Sequence, residues 1–192
     1  MKKSYIMLLI IFVLLIIAFL STFLKNYNIN TNEYIDMNGD EGMETAYNAE
    51  QTQKVIEFLK NGTGIVYFYF NECEWCKRTM PVFKEALEEA DYEGEVIYFN
   101  PYYIRKYNTE EYKQIIEILK DILKEDENGN KKLYVPEVVF VKEGKIVGHQ
   151  TNNVETYTNN KEEMTEEEIW QLNLIYTSFM DRLVDNECST CN

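Results

Sequence analysis

Hydrophobic and polar positions along the chain fall into runs of different length and period. From Tyr5 to Leu24 there is no charged residue, and Ile6 to Leu20 is apolar without a break. Twenty residues at the helical rise span the hydrocarbon core of a bilayer, so one N-terminal transmembrane helix is predicted. A secretory signal has a shorter apolar centre and a small-residue cleavage site, and Ala18-Phe19-Leu20-Ser21 puts Leu where a small residue is wanted. An uncleaved anchor over residues 1–25 is therefore expected. Lys2 and Lys3 precede the run, and past Lys25 the next charges are Glu33, Asp36, Asp40 and Glu41. The positive-inside rule then keeps the N-terminus cytoplasmic and sends the rest out of the cell in a single pass. Disulfides persist on that side.

Residues 26–44 are polar and aperiodic and are expected to be a tether. Residues 45–185 carry the periodic pattern of one domain. Ala46 to Lys60 is helical, with Ala46, Tyr47, Val55, Ile56 and Leu59 on one face and Asn61-Gly62 as its stop. Ile65 to Phe70 is a continuous apolar and aromatic run, as in a strand buried on both faces. Cys76, Met80, Phe83, Leu87 and Ala90 recur at helical spacing, and Glu95 to Asn100 is a second strand. Asn108-Thr109 caps a helix over 109–125 whose inward face holds Tyr112, Ile115, Ile116, Leu119, Ile122 and Leu123. Val138 to Val141 and Lys145 to Gly148 form a hairpin about the Glu143-Gly144 turn. An Asn-rich loop follows. Thr165 and Glu168 then make a capping box for a helix through Ile169, Leu172, Ile175, Phe179 and Leu183. Residues 186–192 are a tail with a second C-x-x-C. A βαβ unit followed by a hairpin and a covering helix predicts an α/β fold, a mixed sheet flanked by helices.

Composition narrows the function. The net charge is −14, with 33 acids against 19 Lys and Arg. Three of those cations lie in the first 25 residues, so the remainder is more acidic still and a poor partner for nucleic acid. A single His rules out a multi-histidine metal site. Four Cys are too few for a disulfide scaffold, which turns attention to their spacing.

Cys73 and Cys76 stand where a strand runs into a helix. Cys73 would sit at the helix N-terminus, where orphan N–H groups and the dipole stabilise a thiolate. It is the more exposed sulfur and the expected nucleophile. Cys76 lies further into the helix and resolves the mixed disulfide. Lys77 and Arg78 favour the Cys73 thiolate, while Glu72, Glu74 and Glu137 oppose it. Two other readings stay open. The pair could be an inert bridge, although so short a loop staples little. With Cys188 and Cys191 it could make a four-thiolate zinc site. Cys188 and Cys191 could also be a second redox pair or idle thiols.

Residues 46–148 resemble a thioredoxin-fold domain. The likeness rests on the strand entering Cys73-Glu74-Trp75-Cys76, on Pro81 five residues after Cys76, and on Val135-Pro136-Glu137 leading into a strand and a Lys-x-Gly-type hairpin turn. Together with the predicted anchor, the chain is most similar to membrane-tethered thioredoxin-like proteins such as bacteriocin-transport accessory proteins. The resemblance implies reversible thiol–disulfide exchange with protein or peptide substrates, needing no cofactor and no metal. It implies a cis-proline at Pro136, and a substrate groove shaped by Trp75, Val135 and Pro136. A redox partner is implied without being identified. Departures are Glu72 in place of the family's Trp, Glu74-Trp75 in place of Gly-Pro, and Tyr67 where the family has a buried Asp. A non-catalytic peptide-binding module for an export system is the rival reading.

Overall fold

The computed structural model describes residues 48–184. The predicted anchor, the tether, and the tail pair Cys188 and Cys191 lie outside the described residues. Among the described residues no helix is long and apolar enough to cross a membrane.

Helix α1 (Ala49–Asn61) begins where the Asn48 side-chain oxygen accepts the Gln51 N–H at 2.9 Å, satisfying one of the orphan donors of a first turn. It buries Val55, Ile56, Phe58 and Leu59. Strand β1 (Gly64–Phe68) is buried at every position, as its unbroken apolar run predicts. The ladder ends at Phe68, so Tyr69 and Phe70 belong to the loop leading to Cys73. Helix α2 (Glu74–Glu89) contains Pro81, which has no N–H to give the carbonyl one turn back. Strand β2 (Glu95–Phe99) follows, then a short helix α3 (Tyr102–Lys106) that periodicity does not predict. Asn100 starts it by accepting the Tyr102 N–H at 2.9 Å.

Helix α4 (Glu110–Leu119) is capped by Thr109 as expected, but it ends six residues short of the predicted 125. The N–H groups of Ile122 and Leu123 both reach back to the Leu119 carbonyl, closing a turn that keeps Leu123 buried. Strands β3 (Glu137–Lys142) and β4 (Lys145–Thr151) form the hairpin. β4 runs three residues beyond the predicted Gly148 and takes in His149. Helix α5 (Glu166–Val184) opens on the predicted capping box: the Thr165 N–H donates to Glu168 at 2.8 Å and the Glu168 N–H donates to the Thr165 hydroxyl at 3.3 Å.

The four strands lie in the order β2-β1-β3-β4, with β1 parallel to β2 and antiparallel to β3. On one face Tyr67, Val138 and Phe140 pack with Cys76, Met80 and Phe83 of α2 and with Leu172, Tyr176 and Met180 of α5. On the other, Val66, Phe68, Val139 and Val141 pack with Val55, Ile56 and Leu59 of α1 and Ile115 and Leu119 of α4. The sheet is thus covered on both sides, as a layered α/β core requires.

The hairpin turn needs its glycine. Glu143 and Gly144 both have positive φ, 51° and 73°, as a tight two-residue hairpin demands. A Cβ on Gly144 would also stand 1.9 Å from the Lys60 carbonyl oxygen at the end of α1. The Gly144 N–H donates instead to the Gly62 carbonyl at 2.9 Å.

One feature of the register builds the site. β1 and β3 are antiparallel, and Phe68 is opposite Glu137. The end of β1 that leads to Cys73 and the end of β3 that follows Pro136 therefore lie side by side.

Candidate active site

Cys73 is the N-cap of α2, with extended backbone, and its sulfur accepts the Cys76 N–H at 3.1 Å. An N-terminal amide aimed at the sulfur is the feature that stabilises a thiolate there. Cys76 lies in the first turn of the helix and pairs with Cys73 as a disulfide, their Cα atoms 5.2 Å apart, within the range a bridge needs. Cys73 is half-buried, whereas Cys76 is fully buried. The two sulfurs thus differ in access as the strand-to-helix junction predicts.

The Val135–Pro136 peptide bond is cis, as the resemblance implies. The Val135 carbonyl oxygen is 3.6 Å from Cys73 Sγ, within reach of a thiol hydrogen once the disulfide is reduced. Pro136 is buried and Val135 half-buried. Val135 and Trp75 pack against the same apolar cluster as Cys73. The structure therefore brings Cys73, Cys76, Trp75, Val135 and Pro136 into one place.

Two contributors escaped the sequence pattern. The first is the Asn-rich loop between β4 and α5. It folds back onto the start of α2: Tyr157 is buried with its ring edge-on to Trp75, centroids 5.4 Å apart. Val154 and Met164 join the same cluster. The Tyr157 hydroxyl donates to the Glu162 carbonyl at 2.6 Å, and Arg78 donates to the Asn160 carbonyl at 3.4 Å and pairs with Glu163. Apolar Val154, Tyr157 and Met164 are too widely spaced in a polar stretch to show a period, so only their burial identifies them.

The second is the pair of hydroxyls beneath Cys76. Tyr67 stands where the resemblance expects a buried Asp, and its hydroxyl is 2.8 Å from that of Thr79. The Thr79 hydroxyl is 3.1 Å from the Trp75 carbonyl and 3.5 Å from that of Cys76. Burial pushes the Tyr67 phenol far above its ordinary value, with Thr79 pulling slightly the other way. With a phenol at this position, the carboxylate that the resemblance expects near Cys76 is missing.

The expected charge pattern also changes. Lys77 pairs with Glu74 at 2.8 Å, and that cation holds the Glu74 carboxyl below its usual range. Arg78 is engaged by Glu163. Glu137 is fully buried and hydrogen-bonded to His149 and Thr151 on β4. Lys77 and Arg78 are thus each paired with a carboxylate, while Glu72 lies exposed beside Cys73.

Among the described residues no group of three or more His, Cys, Asp or Glu side chains is arranged to hold a metal ion. No protein-family model matches the chain, and no curated protein matches it.

Proposed function

We propose that this chain is a thioredoxin-like thiol–disulfide oxidoreductase that exchanges disulfides with protein or peptide substrates. The observation that carries the reading is the asymmetry of the pair: an accessible Cys73 with an amide on its sulfur, bonded to a buried Cys76 and flanked by the Val135–Pro136 segment. The mixed sheet with helices on both faces is compatible with that fold.

The reaction begins with the Cys73 thiolate. It attacks one sulfur of a substrate disulfide, forming the Cys73–substrate mixed disulfide and releasing the other substrate sulfur as a thiolate. Cys76 loses its proton, and its thiolate attacks Cys73 Sγ. The Cys73–Cys76 bond forms, the mixed disulfide breaks, and the second substrate thiolate leaves. Two electrons pass from the dithiol to the substrate. The same steps reversed oxidise a substrate dithiol. With Tyr67 neutral, the proton of Cys76 passes to solvent or to a departing substrate thiolate.

Attachment to the cell membrane through residues 1–25, with the domain outside the cytoplasm, is the further part of the proposal. It rests on the charge-free run and on Lys2 and Lys3 before it. Participation of Cys188 and Cys191, in zinc binding or as a relay, concerns the tail beyond the described residues and is separated from the Cys73–Cys76 chemistry by replacing both with Ser.

The deciding experiment equilibrates the full-length chain with mixtures of reduced and oxidised glutathione, alone and with Cys188 and Cys191 replaced by Ser. A reversible two-electron transition that survives the tail replacement and vanishes in Cys73→Ser supports exchange. A chain that retains peptide binding with Cys73→Ser and shows no transition is a binding module instead.

A further inference from the structure

Glu137 is a fully buried carboxylate immediately after Pro136, and the exchange chemistry does not use it. Side chains alternate along β3. Val138 and Phe140 belong to the cluster that holds Cys76, whereas Val139 and Val141 belong to the opposite face. Glu137 shares the face of Val139, so it lies across the sheet from Cys76 and is no proton acceptor for it.

Both carboxylate oxygens are taken by the edge strand. Oε1 is 2.9 Å from Nδ1 of His149, and Oε2 accepts from the Thr151 hydroxyl at 2.6 Å. Toward an ionised carboxylate His149 must be the donor. Thr151 is the register partner of Glu137, and the next residue, Asn152, donates its N–H to the Pro136 carbonyl at 2.8 Å. One residue before Pro136, the Val135 carbonyl meets Cys73 Sγ. Hydrogen bonds thus tie His149 and Thr151 to Glu137 and Asn152 to Pro136, and the adjoining Val135 carbonyl stands 3.6 Å from the Cys73 sulfur. An apolar side chain would fill this position without the desolvation cost of a buried carboxylate. What the carboxylate adds is direction, because two fixed acceptors hold the strand end in one place.

We propose that Glu137, clasped by His149 and Thr151, is a positioning residue that sets the Val135–Pro136 segment against Cys73 and so aligns an extended peptide disulfide for attack. The proposal rests on the exchange reading and adds to it a device behind the groove.

The test compares Glu137→Leu with Glu137→Gln in the full-length chain. Gln keeps an acceptor for His149 and a polar group for Thr151; Leu keeps neither. The probes are a peptide with one internal disulfide and hydroxyethyl disulfide, which is too small to lie along the groove. Relative to wild type, Glu137→Leu should lose between about ten- and a hundredfold more rate on the peptide than on the small disulfide, the scale of misalignment effects. The loss should appear in KM. Glu137→Gln should recover most of it. Equal losses on both probes, or Gln no better than Leu, overturns the positioning role. If Glu137→Leu does not fold, His149→Leu against His149→Gln, which keeps a donor for Glu137, carries the same comparison at a half-exposed site. A wild-type chain inert toward both probes defeats the exchange reading itself; an active wild type matched by its Leu variant defeats only the clasp.

Discussion

The Tyr157 ring stands edge-on to Trp75, centroids 5.4 Å apart and planes at 88°. The contact joins the dipeptide between the cysteines to a loop some eighty residues later in the chain. Trp75 is half-buried, and Tyr157 occupies the side that faces the cluster. The indole is therefore held on that side by the Tyr157 ring.

The aromatic contact should be measurable as a coupling. Trp75→Leu, Tyr157→Leu and the double variant form a cycle, and edge-to-face pairs contribute about 0.5–1.5 kcal/mol beyond burial. Denaturant unfolding of the four proteins should give a coupling in that range. Strict additivity would show that the two rings are neighbours without being partners.

Replacing the resolving cysteine should trap the first chemical step. In Cys76→Ser the Cys73–substrate mixed disulfide has no intramolecular thiol to release it, so complexes should accumulate on non-reducing gels and vanish with reductant. Cys73→Ser should trap none, because Cys76 is fully buried. Trapping by Cys73→Ser alone would reverse the two roles.

The Tyr67–Thr79 pair should respond unequally to deletion of either hydroxyl. Tyr67→Phe leaves Thr79 its contacts to the Trp75 and Cys76 carbonyls, and should cost about 1 kcal/mol or less. Thr79→Val, nearly the same shape, strands the fully buried Tyr67 hydroxyl and should cost about 1–3 kcal/mol. Equilibrium unfolding separates the two. The opposite order would mean that Tyr67 finds another acceptor.

Alkali should unfold the domain through its buried phenols. Burial raises Tyr67 and Tyr176 far above 10, and lifts Tyr92 and Tyr98 to about 12. Each is raised in the fold, so each contributes stability that is whole below pH 10 and is lost as pH rises toward the folded value. The unfolded chain binds fewer protons in that window, and the slope is negative, up to about 1.4 kcal/mol per pH unit for each fully buried phenol. Phenolate absorbance of the fully buried Tyr67 and Tyr176 should therefore rise together with loss of tertiary structure. Their independent titration in a folded protein would contradict the burial.

Gly144→Ala should destabilise without touching the redox pair. The position has φ 73° and a Cβ would meet the Lys60 carbonyl oxygen, so left-handed strain alone should cost about 1–2 kcal/mol and the clash should add to it. The glutathione equilibrium of the folded variant should match wild type. A stability equal to wild type would mean that the turn shifts freely away from α1.

Local pattern carried much of this protein. Period and apolar runs place α1, β1, α2, β2, the hairpin and α5, and caps at Thr109 and Thr165 mark two helix starts, because those choices depend on neighbours within a turn or two. The strand running into Cys73-Glu74-Trp75-Cys76 places Cys73 at a helix start and Cys76 within the first turn for the same reason: the geometry of a helix start is local. Boundaries were less legible. A helix of five residues at Tyr102 is shorter than two turns and leaves no period to detect. β4 continues through His149 and Thr151 because β3 still offers it register partners at Val139 and Glu137. The surroundings of the cysteines were decided only in three dimensions. Val135 reaches Cys73 across 62 residues and Asn160 reaches Arg78 across 82. Whether Arg78 serves the thiolate or a distant loop, whether Glu137 faces the nucleophile or the edge strand, and what stands behind Trp75 all depend on such contacts. Charge and periodicity in the sequence specify which groups seek partners, and packing alone determines which partners they find.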